Sequence, residues 1–156
     1  MKTNLLLFFL LFFNNLFGQI KIEDLGDNWK QKVESSILLI KETDKSKYDT
    51  LIKYCKHITF WNGDFSTTED SISIMISQTD MNSKSINNIV SVLIHESYHL
   101  KKYKSDMDAD LEEYEAYQYE LEFLRKLDNC EYWLRSNCIK MMVFHLERYK
   151  EKNFLK

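Results

Sequence analysis

The chain has 156 residues, a formal net charge of -3, no proline and only three glycines. A mildly acidic chain without a basic stripe argues against nucleic acid as a partner. The abundance of helix formers predicts a single, largely helical domain with one modest core.

The first segment reads as a targeting signal. Lys2 precedes nine unbroken apolar residues, Leu5 to Phe13, and Gly18 offers a small residue before Gln19. That layout predicts a secretory signal peptide over residues 1–18 and an exported domain over 19–156, periplasmic or secreted. The run is shorter than the roughly 20 residues that cross a bilayer, so no membrane span is expected after cleavage. Next, Asp27 is placed to cap a helix from Asn28 to Thr43, with Trp29, Val33, Ile37 and Ile40 at helical spacing. Residues 44–47 read as a turn, and Tyr48 to Cys55 as a second, shorter helix. Ile58, Phe60 and Trp61 suit a strand and lead into the turn signal Asn62-Gly63-Asp64. Ser71 to Ser77 alternates serine with Ile72, Ile74 and Ile76, the clearest strand pattern in the chain. The two runs predict a hairpin or small antiparallel sheet.

Ser83 or Ser85 should cap the following helix, whose inward stripe is Ile86, Ile89, Val90, Leu93 and Ser97 and which runs to about Tyr103. An acidic loop from Ser105 to Asp110 follows, with Asp110 expected as the N-cap of a helix reaching about Leu127. Asn129 interrupts, and a last helix is expected from Ser136 to Lys152. The predicted class is α+β, mainly helical with a small antiparallel sheet before the central helix. Export permits disulfides, and Cys130 with Cys138 is the expected pair; Cys55 would be a buried free thiol. None of the three has zinc-site spacing.

His95-Glu96-Ser97-Tyr98-His99 reads HExxH. On a helix, residues four apart differ by about 40° around the axis, so both imidazoles point the same way and can ligate one metal. Glu96, beside the first imidazole, can take a proton from a metal-activated water without being a ligand. Zn²⁺ suits this chemistry. The plain alternative is a helix with two ordinary surface histidines.

A catalytic zinc needs a third protein ligand and an open position. Downstream stands Glu112-Glu113-Tyr114-Glu115-Ala116-Tyr117. With HESYH, this segment resembles the gluzincins, the thermolysin-like HExxH metallopeptidases, whose third ligand is a Glu on the next helix in an E-x-x-A-D or E-x-x-x-D pattern. The resemblance is confined to His95–Glu120. It implies a minimal zincin fold, Glu113 as third ligand, Glu96 as general base and a peptide or protein substrate. Helical faces give a separate check. Glu113 shares a face with Ala116, Tyr117, Leu124 and Leu127, Glu112 lies with Tyr119 and Phe123, and Glu115 lies with Gln118 and Glu122 on a solvated face. Glu113 ranks first, Glu112 second and Glu115 third. The pattern departs at Tyr117, which stands where the family has an Asp that orients a zinc histidine. Either the Tyr117 hydroxyl or the Glu120 carboxylate could take that job.

Asp106, Asp108 and Asp110 are weaker ligand candidates. His145 and His57 read as structural. The Ser71–Ser77 strand is expected to line the cleft and pair with an extended peptide. One of Tyr98, Tyr103, Tyr114 and Tyr117 could donate to a developing oxyanion. The expected activity is zinc-dependent peptide hydrolysis outside the cytoplasm; a non-catalytic zinc domain or a metal-free exported interaction protein are the alternatives.

Overall fold

The structure is a computed structural model that describes residues 20–23 and 28–154. The expected signal segment, 1–18, and the expected helix cap Asp27 lie outside the described residues. In chain order the elements are β1 (Lys21–Ile22), α1 (Trp29–Thr43), α2 (Lys45–Tyr54), β2 (His57–Trp61), β3 (Thr67–Thr68), β4 (Ser73–Ser77), α3 (Gln78–Asn82), α4 (Ile86–Lys102), α5 (Ala109–Leu124) and α6 (Tyr132–Phe154). This is a mainly helical α+β domain, as the composition predicted.

Asn28 precedes α1 in the left-handed region, with φ of 63° and no side-chain cap, a conformation that Asn tolerates better than most residues. Residues 44–47 are not a turn. The Asp44 N–H closes α1 on the Ile40 carbonyl while its side chain accepts from the Lys47 N–H and opens α2. One aspartate thus ends one helix and caps the next.

The sheet is mixed, which corrects the antiparallel expectation. Its order is β1-β2-β4-β3. β1 pairs with β2, and β2 with β4, in parallel; only β3 runs antiparallel to β4. After the Asn62-Gly63-Asp64 bend the chain crosses to the far side of β4 and returns along β3, so β4 enters the middle of the sheet. A parallel neighbour requires such a crossover, whereas a tight turn would have given a hairpin. β4 is buried on both faces, Ser73 and Ser77 included.

α4 is the centre of the molecule. It packs against α1, α2, α5, β3 and β4, and its Ile89, Val90, Leu93 and Ile94 are fully buried. Ile37, Ile40, Leu51, Ile58, Ile74 and Phe123 close the same core. α5 and α6 pack along each other. α6 starts four residues earlier than the sequence suggested, at Tyr132. No helix among the described residues is long and apolar enough to cross a membrane.

Candidate metal centre

Ser85 caps α4 by accepting from the Asn87 N–H, and the helix runs unbroken through the HESYH segment. His95 and His99 therefore stand one turn apart on a single face. Asp108, not Asp110, caps α5, accepting from the Asp110 N–H. The three alternating aspartates are equal as cap chemistry, and the helix begins two residues before the expected site. α5 crosses α4 with Glu113, Tyr117 and Glu120 toward the two histidines, positions i, i+4 and i+7 of one helical stripe.

The imidazole Nε2 atoms of His95 and His99 lie 3.2 Å apart. The two Glu113 carboxylate oxygens face them, each 3.5 Å from one nitrogen. One ligand atom from each of the three residues lies within 4.8 Å of the others, so the group could hold a metal ion. The outer ring nitrogens are held as well. His95 Nδ1 is 3.1 Å from Glu120 Oε2, and His99 Nδ1 is 2.9 Å from Glu112 Oε1. A carboxylate at Nδ1 favours keeping a proton there, so a metal that displaced the Nε2 proton would meet that lone pair facing inward.

Glu120 is buried and saturated with donors: the Cys138 thiol at 2.9 Å and the Ser91 hydroxyl both reach its other oxygen. It does the orienting job that the sequence left open between it and Tyr117. The Tyr117 ring instead packs on the His95 ring, centroids 4.3 Å apart, and stacks on His145 at 5.9 Å. Glu112, ranked second from the sequence, stands outside the three-residue cluster and meets His99 Nδ1 instead. Glu115 is not a free solvated carboxylate, since it accepts from the Tyr98 hydroxyl and pairs with Lys102 at 3.6 Å.

The electrostatics favour positive charge at this point. Burial alone would lower the His95 pKa, but hydrogen bonds to Glu113 and Glu120 outweigh it and push the value up to about 10. Burial would raise Glu113, yet its contact with His95 holds it below the usual range. Glu96 is different: burial raises its pKa. Its side chain has no hydrogen-bond partner among the described residues, and it lines the same cavity as the three candidate ligands.

No protein-family model, curated protein or solved structure matches this chain. The chemistry of the site is carried by its own residues.

The cavity holds about 580 Å³ and is walled by α4, α5, α6 and the segment around β3. His145 lines it too, packed on Tyr117 and hydrogen-bonded as the sequence suggested. Its Nδ1 lies 3.0 Å from Asp110 Oδ1, and Arg148 and Lys152 also contact that carboxylate. Asp110, expected as a cap, is thus the anchor of a cavity histidine. The available signal was the inward stripe Leu134, Cys138, His145 on α6. Of the four tyrosines considered as oxyanion donors, only Tyr117 lines the cavity. β4 is not the edge strand beside the cavity; β3 is. His57 lies on β2, away from it, and Asp106 and Asp108 are absent from the ligand cluster. All three cysteines are free, because Cys138 faces Glu120 on α5 rather than Cys130.

Proposed function

We propose that this chain is an exported zinc metallopeptidase. The observation that carries the reading is the convergence of His95 Nε2, His99 Nε2 and the Glu113 carboxylate inside a cavity that also holds an unpartnered Glu96. Donors about 2.0–2.1 Å from a tetrahedral zinc sit about 3.3 Å from one another. The Nε2 pair at 3.2 Å fits that figure; Glu113 meets each nitrogen with a different oxygen at 3.5 Å, and one ligand atom from each residue falls within 4.8 Å of the others. Two imidazoles and one carboxylate are also the donor set of a catalytic site, leaving a fourth position for water or substrate.

Zinc in this position supplies a Lewis acid for the scissile carbonyl and acidifies a water. The chain supplies the rest. Glu120 and Glu112 hold the imidazoles in the ligating tautomer. Glu96, buried beside the two histidines, takes the proton of the attacking water and hands it to the leaving amine. Asp110, by accepting from Nδ1, orients the His145 ring on the cavity wall. Export rests on the 1–18 segment of the sequence.

The test is Glu96→Gln. It should retain the metal and lose peptide hydrolysis by at least about 100-fold, the scale of general acid–base catalysis. Full activity in that variant refutes the mechanism.

A further inference from the structure

The cavity lining has a one-sided charge. Among the described residues it carries the carboxylates of Asp64, Asp80, Glu96, Glu113 and Glu120 and not one lysine or arginine, in a chain that has 21 of them. Even a divalent cation leaves this lining net negative. Most of these carboxylates are engaged. Glu113 and Glu120 face the histidines. Asp80 accepts from the Ser66 and Ser77 hydroxyls at 2.6 and 2.8 Å and from the Asn88 amide at 3.0 Å. Asp64 is exposed and has no hydrogen-bond or ion-pair partner among the described residues.

The loop that carries Asp64 is tied down at several points. The Trp61 indole N–H donates to the Phe65 carbonyl at 3.0 Å, and the two rings meet edge to face at 5.7 Å. A Cβ at Gly63 would come within 2.3 Å of the Trp61 ring, so the bend folds directly over the indole. Ser66 closes the other end by accepting from the Ser77 N–H at 2.9 Å. This anchored loop leaves the Phe65 ring 66% exposed on the cavity lining, and Trp133, 50% exposed, lines the same cavity from α6. Large aromatic faces beside an unengaged carboxylate bind an ammonium or guanidinium group and its aliphatic stem.

Resting on the peptidase reading, we propose that the loop Asn62–Ser66 is the specificity element of this cavity and selects substrates bearing a positive charge, with Asp64 as the counter-charge and Phe65 and Trp133 as the flanking surfaces. The charge has two sources, a Lys or Arg side chain or the free amino terminus of a peptide. A carboxyl-terminal carboxylate finds no lysine or arginine among the described lining residues.

The experiment measures binding, so it reads independently of turnover. Glu96→Gln protein in saturating zinc is titrated calorimetrically with alanine-based hexapeptides blocked at both ends and containing two Lys, two Glu or two Ser. A fourth probe is the Ser peptide with a free amino terminus. The Lys peptide should bind about tenfold tighter than the Glu peptide, with the blocked Ser peptide between them. Asp64→Asn should weaken Lys-peptide binding about three- to fivefold, and Asp64→Lys should abolish the preference, with zinc content unchanged. A free-amine Ser peptide that matches the Lys peptide assigns the charge to the amino terminus; tight binding of the blocked Lys peptide alone assigns it to a side chain. Equal binding of Lys and Glu peptides, no binding of any probe, or a preference that survives Asp64→Lys overturns the proposal. Hydrolysis by the wild type without charge preference sinks the selectivity alone. Charge preference without hydrolysis sinks the peptidase reading alone.

Discussion

Replacing Glu120 by Gln keeps the side chain's size and removes its charge. The native carboxylate accepts from three donors, His95 Nδ1, the Cys138 thiol and the Ser91 hydroxyl. A Gln has one accepting oxygen and one donating NH₂. If the oxygen faces His95, the NH₂ is pressed against the thiol and hydroxyl donors. If the amide turns over, it donates to Nδ1 and drives the imidazole proton onto Nε2, the atom needed as the ligand. Either arrangement loses a charge-assisted hydrogen bond of about 1.5–3 kcal/mol, which corresponds to a roughly 10–100-fold loss of metal affinity. Competition with a chromophoric chelator near neutral pH measures it, with circular dichroism to confirm that the fold is retained. Glu122→Gln is the comparator, since that side chain is half exposed and, among the described residues, pairs only with Lys47 at 3.3 Å; it should stay within about twofold of wild type. Folded Glu120→Gln protein with wild-type zinc affinity would refute the orienting role.

Two further outcomes are expected. The Asp110 carboxyl is held below its usual range by hydrogen bonds from Lys152 and His145. Such a group contributes stability that is fully present above its unfolded value of about 3.9 and is lost as pH falls through its lower folded value. The Tm gap between wild type and Asp110→Asn should therefore be open near neutral pH and close as pH falls below the ordinary carboxylate range; a gap independent of pH contradicts this. Tyr117 supports His95 with its ring face rather than its hydroxyl. Tyr117→Phe should thus bind zinc within about threefold of wild type, while Tyr117→Ala should bind distinctly less tightly, both read by the same chelator competition.

The sequence was most legible where one helix carries the information. The spacing of His95 and His99 needs only the helical repeat, and the α5 stripe Glu113, Tyr117, Glu120 follows from the same period. Once α4 and α5 cross, both the Glu113 and the Glu120 carboxylates reach the two histidines. The sheet was less legible. Alternation in Ser71 to Ser77 marks a strand but does not name its neighbour, and the return strand Thr67–Thr68 is two residues long, too short to leave a pattern. His145 joins the site from α6, 46 residues beyond His99, through packing that no local pattern records. Cys130 and Cys138 are close in sequence, yet the turn geometry of α6 points Cys138 at Glu120.

The central claim is that His95, His99 and Glu113 hold one zinc ion. Its most direct test is the metal content of untagged protein, dialysed after exposure to zinc and measured by elemental analysis beside a His95→Ala, His99→Ala variant. One zinc per chain is expected in the wild type and none in the folded variant. A metal-free wild type, or zinc retained at full stoichiometry in the variant, would contradict it.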